Sequence, residues 1–500
     1  MKNGEFQGLD WVVFAAYVLA IFLVGAWFAR RQTSTSEFFV ASRRMHWLPV
    51  SMSIAATLLS GISFIGHPAR VFRYDSVLVA WPLAAVLTAP VVIYALLPFY
   101  RRLHVTTAYE YLEHRFGLNV RLLASALFIS KRLIWMALVA LAPSLALSTV
   151  TGIRVEYCIA IIGVVATLYT GLGGMSAVIW TDMVQFIVLT LGQVLIVGCV
   201  VAKVDGGLSE VWRTSFEHHK AWMSMQFDLG RLTFWTTLIA GFAFILSDFG
   251  ADQVTVQRLM SARTDADARK SVWMGALLKF PTMILLIAAG VALWVFYYVH
   301  PALLELEPKE YDKIVPFFVV TQFPPGVSGL VVAAIFAAAM SSFDSGLNCL
   351  VATLTVDWYE RVIRPSGADR RYLRLAQGLT YVLGLAVTIL AIAAYLTGIQ
   401  SIIDASNKYL GFFGGALLGV FLLGTLTRRA SSLPTVLGAI VSVAAIIALD
   451  RWQTVAAGYL LHPYLYGFLT CVVTMLLGYV GSVFLPARWI DVPRRTPGNG

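Results

Sequence analysis

The sequence predicts an all-α polytopic membrane protein, and three observations carry that reading: an apolar excess, apolar runs of membrane-spanning length, and basic residues gathered on one side. Of 500 residues, 59% are hydrophobic and 13% charged, with a mean hydropathy of +0.77. Soluble domains carry roughly 25% charged residues, so a soluble core of this size would lack a polar shell. The surplus apolar surface is expected to face lipid.

A hydrocarbon core about 30 Å thick takes roughly 20 apolar residues in a helix. Runs of that kind begin near Trp11, Trp47, Val77, Leu122, Val155, Ala177, Leu232, Val272, Val327, Leu375, Ile402, Pro434 and Tyr464, giving about 13 spans. The first ends at Arg30 and Arg31 without a small-residue cleavage site, so it reads as a span and not a signal peptide. With the N-terminus outside, inner segments hold about 22 Lys and Arg against about 12 outside. Lys131, Arg132 and Lys279 fall near or within helices. This asymmetry and the odd span number predict an outside N-terminus and a cytoplasmic C-terminus, in a plasma membrane of bacterial inner-membrane type. Residues 1–486 read as one transmembrane domain, and residues 487–500 as a disordered cytoplasmic tail. The polar stretches 205–230 and 300–324 read as outer loops, too short for folded modules.

Several functions are set aside. The formal charge of +10 is spread over loops, which fits topology better than nucleic-acid binding. Cys158, Cys199, Cys349 and Cys471 lie in apolar runs without CxxC spacing, so neither a disulfide nor a metal site is expected. No HExxH, GxSxG or Walker-type loop points to a membrane enzyme. The tail is too short for the output domain of a transporter-like receptor.

Polar residues within spans are costly and therefore informative. Across 51–74 an apolar helix is interrupted by Thr57, Ser60-Gly61, Ser63 and Gly66-His67-Pro68. Such a segment can unwind at mid-membrane and turn carbonyls toward a cation, or simply kink. Across 337–360, small residues allow close helix approach, and Ser341, Ser342, Asp344, Ser345 and Asn348 concentrate oxygen ligands of the kind hard cations take. Packing alone gives no reason for the carboxylate of Asp344. Across 173–185, a Gly173-Gly174 pair predicts a tight inner turn before Asp182 and Gln185, where Asp182 could serve the helix dipole or a hydrated ion path.

The segments GGMSAVIWTDMVQ (173–185) and AAAMSSFDSGLN (337–348), with SEFFVASRR, TAYEYLEHRFG and DQVTVQR, resemble the sodium–solute symporter family over about residues 9–423. The resemblance implies two inverted, LeuT-like five-helix repeats, about 47–203 and 232–427, with one extra helix before and two after. It implies a sodium site at the carbonyls of Ala56, Leu59 and Ala338 and the hydroxyls of Ser341 and Ser342. Some relatives hold a second sodium near the equivalent of Asp182, with hydroxyls at the positions of Asp344 and Ser345. An Asp replaces a hydroxyl there, which puts that site in doubt or gives it a different charge. Ser60, Ser63, His67, Leu78, Trp81 and Trp135 would border the solute. Asp252 stands where sugar carriers place a polar contact, and Lys279 where they place a lysine, although snorkelling would also explain Lys279. Trp135 replaces the arginine that holds the carboxylate in sialic-acid carriers. Trp and His beside serines suit a sugar or polyol, while ALAPSLALSTVTG (140–152) resembles the monocarboxylate and multivitamin branch. The expectation is sodium-coupled import of a sugar, polyol or small monocarboxylate by alternating access. A proton-driven symporter of the same fold and a sialic-acid-type carrier are the alternatives.

Overall fold

In lipid every backbone N–H and C=O must be paired within its own segment, so long apolar runs become helices. The computed structural model describes residues 6–29, 34–103, 105–364, 368–398, 402–456 and 458–485, and every long element among them is helical. The expected tail at 487–500 lies outside the described residues. The membrane helices are α1 (Gly8–Ala29), α2 (Trp47–Leu58), α3 (Gly61–Arg73), α4 (Val77–Arg101), α5 (Leu118–Thr151), α6 (Val155–Lys203) and α7 (Phe234–Gly250). They continue with α8 (Gln253–Ser261), α9 (Asp265–Val299), α10 (Val327–Ile363), α11 (Asp369–Leu396), α12 (Ile402–Leu426), α13 (Ser432–Val455) and α14 (Tyr466–Phe484).

Among the described residues, ten helices are long and apolar enough to cross a membrane, and the bent pairs α2/α3 (52°) and α7/α8 (47°) bring the number of spans to 12. The remaining expected span is the shorter apolar stretch Val155–Leu168, the first part of α6. The expected turn at the glycine pair is a break inside α6, where Gly174 adopts φ 56° and ψ −165°. A β-carbon on Gly173 would lie 2.3 Å from that of Ala177, so Gly173 has no room for a larger residue.

Each five-span repeat, α2 to α6 and α7 to α12, opens on a broken helix. Five crossings return the chain to the opposite face, which is why the second repeat is inverted relative to the first. The broken helices pack with α4 and α9, while α5, α6, α10 and α11 form a second layer. In α10, 89% of the most apolar stretch is buried, against 11% in α1, so α10 is the central post and α1 faces lipid. The 300–324 stretch is more than a loop. It carries a short helix, Ile314–Gln322, that rests on α3 and α5. At the opposite end of α10, Asp357 accepts from Arg121 Nε (2.7 Å) and from Thr107 (2.7 Å), fixing α10 to α5. Arg121 is thus a buried structural partner.

Candidate functional site

The first break falls at Leu59 and Ser60, not at the Gly66-His67-Pro68 stretch, which stays helical within α3. Two local features place it there. The Ser60 hydroxyl caps α3 by accepting from the Ser63 N–H (3.3 Å). A β-carbon on Gly61 would come within 2.9 Å of that of Ala339, so α3 starts where its backbone presses on α10. The second break falls at Ala251–Asp252, where Asp252 caps α8 through the Val254 N–H (3.0 Å).

Beside the first break, the Ser341 hydroxyl donates to the carbonyls of Ala56 (3.1 Å) and Ala338 (3.2 Å). The Ser342 hydroxyl donates to Thr57 (2.9 Å) and Ala338 (3.4 Å). Four of the five expected sodium-ligand residues therefore meet, and Thr57 joins them. Leu59, the fifth, ends α2 with its N–H on Ala55 and Ala56 and a non-helical backbone, so its carbonyl leaves the helical ladder. Asn348, grouped with these oxygens in the sequence, instead accepts from Gln257 (2.8 Å) and helps dock α8 on α10.

One turn further along α10 lies a second polar group. Asp182 Oδ2 accepts from Ser53 (2.5 Å), Arg258 Nη2 (2.9 Å), Thr57 (3.4 Å) and Ser345 (3.4 Å). Arg258 also donates to Ser53 (2.7 Å), the Val254 carbonyl (2.9 Å) and Ser345. Asp344 Oδ1 accepts from the Ser345 N–H (2.5 Å) and hydroxyl (3.2 Å). Asp182, Arg258, Asp344 and Ser345 are all fully buried, and Asp182 Oδ1 has no hydrogen-bond partner among the described residues. Arg258 closes the DQVTVQR stretch, where the sequence reading assigned it no role of its own. Its position in the otherwise uncharged run VTVQ was the signal that it points inward.

Ser60, Ser63, His67, Leu78, Trp81, Trp135, Asp252 and Lys279 all line one cavity. His67 Nδ1 lies 3.0 Å from the Ser63 carbonyl; a carbonyl only accepts, so Nδ1 carries the proton and Nε2 is the accepting nitrogen. Trp81 packs against Phe244 (5.5 Å between ring centres) and edge-on to Tyr464 (6.1 Å). Three charged residues that the sequence reading left without a role also reach this wall. Lys131 pairs with Asp248 (2.7 Å) and Asp252 (2.9 Å), and Arg132 pairs with Asp252 (2.5 Å) while lying over Trp135 (4.4 Å). Charges inside predicted spans were a legible signal for Lys131, Arg132 and Asp248. Tyr464, from the helices beyond the repeats, had none. It donates to Asp404 (2.7 Å), which also pairs with Arg70 (3.2 Å).

Two broken helices whose breaks open on one polar cavity, with hydroxyls of a third helix against the first break, define a secondary transporter of the inverted-repeat class. A sequence profile of the Sodium:solute symporter family matches residues 38–442, and the chain belongs to that family. It is 34% identical to the sodium/sialic acid symporter NanT of Aliivibrio fischeri, over 96% of this chain and 94% of the relative. It is 30% identical to human sodium-coupled monocarboxylate transporter 1, over 91% of this chain and 74% of the relative. A solved Na+-coupled sialic acid symporter, substrate-bound and outward-open with a novel Na+ site, superposes with a TM-score of 0.89 at 30% identity, covering 97% of this chain and all of that one. The protein is thus a multi-pass sodium-coupled symporter and not an enzyme, and its ligands are sodium and a small solute.

Proposed function

We propose that this chain imports a small organic solute, a sugar, polyol or small monocarboxylate, with sodium bound at Ala56, Leu59, Ala338, Ser341 and Ser342. The observation that carries the reading is the convergence of the Ser341 and Ser342 hydroxyls on the carbonyls of Ala56, Thr57 and Ala338, within 2.9–3.4 Å. Hydroxyls and carbonyls are the ligands a hard monovalent cation takes. The site sits at the first break, and the solute cavity adjoins the same break through Ser60 and Ser63. A sodium held there straightens neither helix but fixes the break against α10, so ion and solute favour one and the same arrangement. Moving one sodium inward yields about 2.3 kcal/mol per 100 mV, and a tenfold gradient adds about 1.4. The inward direction assumes an outside N-terminus and a cytoplasmic C-terminus in a bacterial inner membrane, as the basic-residue asymmetry supports.

Asp182, Asp344 and Ser345 are proposed as a second cation position, supported by Asp182 Oδ1, which is buried and has no hydrogen-bond partner among the described residues. A proton at this position is the variant reading. A sialic-acid-type solute is the second reading for the cavity, supported by the relatives above. Against it stands Trp135 in place of an arginine, with the neighbouring Arg132 already held by Asp252. Uptake into proteoliposomes with sodium replaced by choline at fixed pH tests the coupling ion. Uptake that persists in choline and follows a pH gradient would replace sodium by protons.

A further inference from the structure

The polar stretch 205–230 is not all loop. Gly206 (φ 88°) and Gly207 (φ 59°) break the course of α6, and Gly207–Glu217 then forms a separate surface helix that rests on α6 and α9. Successive residues of a helix lie about 100° apart around its axis, and here they divide the circumference into three stripes. Val211, Thr214 and Ser215 are buried against the protein. Leu208, Trp212 and Phe216 make an exposed apolar stripe, at 66%, 65% and 40% exposure. Ser209, Arg213 and Glu217 make an exposed polar stripe beside it, and Arg213 pairs with Glu210 (2.8 Å) and Glu217 (3.6 Å).

A helix lying on a protein in water needs two stripes, one for the protein and one for the solvent. A third, apolar and outward, is what a helix needs on the shoulder of a membrane protein, with lipid on one flank and water on the other. Two further observations name lipid as the occupant. The apolar stripe continues a lipid-facing surface: Tyr298, 49% exposed near the end of α9, touches the ring of His218 directly after the helix (4.4 Å) and stacks on Trp294 (5.0 Å). The residue types are also those of the membrane–water boundary, where aromatic rings gather. Trp212 and Phe216 lie ring to ring (4.6 Å), and Trp222 and Trp235 are exposed in the segment that follows.

The far end of the helix reaches the first broken helix. His219 takes a left-handed φ of 55°, and the Lys220 N–H closes on the Ser215 carbonyl (2.8 Å). From that turn the buried Lys220 ammonium donates to carbonyls at the end of α3, those of Phe72 (2.9 Å) and Tyr74, where a helix terminus leaves acceptors free. The Ser76 hydroxyl donates to the Lys220 carbonyl (2.9 Å) and completes the tie. We propose that Gly207–Glu217 is a membrane-surface helix, seated with Leu208, Trp212 and Phe216 in the lipid boundary, and that through Lys220 it ties the end of α3 to the bilayer surface. Arg213 is engaged by two carboxylates, so apolar burial, not headgroup charge, seats the helix. The anchor requires only that the chain spans a membrane, whichever ion and solute it carries.

The test uses the full-length chain in phosphatidylcholine proteoliposomes. Cys199, half-buried, is replaced by alanine; the other three cysteines are buried. Nitroxide labels are placed one at a time at Leu208→Cys, Trp212→Cys and Phe216→Cys, and at Ser209→Cys, Arg213→Cys and Glu217→Cys. Collisions with oxygen, which partitions into lipid, are compared with collisions with a water-soluble nickel chelate. The oxygen-to-nickel ratio is expected to be severalfold higher on the first stripe than on the second. Equal ratios on the two stripes would overturn the lipid seat, and broadening between labels of two chains at position 212 would overturn it in favour of a second copy. The tie to α3 is read by hydrogen exchange. Amides of residues 70–76 should exchange severalfold faster in Lys220→Met and in the double variant Trp212→Ser, Phe216→Ser, while amides of α10 keep their wild-type rates. Wild-type exchange across 70–76 in both variants would overturn the tie.

Discussion

Removing the hydroxyl of Ser342 is the sharpest perturbation of the proposed ion site. Ser342 is fully buried, and its Oγ donates to Thr57 O at 2.9 Å and to Ala338 O at 3.4 Å. Its lone pairs remain available to a cation bound among those carbonyls. Ser342→Ala therefore has two separable effects. Without sodium, it deletes one neutral hydrogen bond, worth about 1 kcal/mol. Ala338 O keeps Ser341 as a donor, so only the Thr57 carbonyl loses a close partner. With sodium, it also deletes a ligand to a charge, on the scale of about 1.5–3 kcal/mol, which is roughly tenfold to hundredfold in affinity. At a sodium concentration 100 times the wild-type Kd, binding stabilises the fold by about 2.7 kcal/mol; after a tenfold loss the same concentration gives about 1.4. The assay is a sodium titration of both uptake and melting temperature, with choline holding ionic strength constant. A small drop in the sodium-free Tm together with a large rise in the sodium half-saturation is expected. Half-saturation unchanged within twofold would refute the assignment of Ser342.

Three further outcomes follow from the same geometry. Arg258→Met should destabilise the chain by about 3–5 kcal/mol, because it strands a fully buried Asp182 carboxylate. Combining it with Asp182→Asn should recover most of that loss, and a double variant no more stable than the single one would refute the pairing argument. Asp182→Asn and Asp344→Asn should each lower the number of charges moved per solute in reversal-potential measurements on proteoliposomes, and an unaltered ratio in both active variants would make a single ion site sufficient. His462, just before α14, is held at a pKa of about 4 by burial and by the nearby Arg70 guanidinium, below its ordinary value of 6.5. The unfolded chain then binds the extra proton first, so His462 contributes stability that is lost as pH falls from about 6.5 toward 4. His462→Gln should flatten the Tm profile across that window, and an unchanged slope would assign the acid sensitivity to other groups.

The sequence by itself determined the helical membrane fold and most of the residues that meet at the site. Apolar runs of spanning length admit one solution in lipid, because an unpaired backbone group there has no water to turn to. Charges and hydroxyls inside those runs are costly enough that their positions mark function, which is why Ser341, Ser342, Asp182 and Asp344 stood out before any coordinates. Where the first helix breaks was decided by tertiary structure. Gly66-His67-Pro68 has the local composition of a break, yet the chain bends at Leu59–Ser60, where Gly61 meets Ala339 across the helix pair. Local propensity proposes several breaks; only the neighbour that must fit chooses among them. Partnership among charges was also a tertiary outcome. Arg258, Arg121, Lys131 and Lys279 look alike along the chain, as basic residues near the ends or within helices. The fold gives the first three a carboxylate within hydrogen-bond reach, and sets Lys279 at the cavity wall that Asp248 also lines, with no such direct pair among the described residues. A charge is read from one residue, but whether it is balanced depends on residues tens to hundreds of positions away, which only the packed helices bring together.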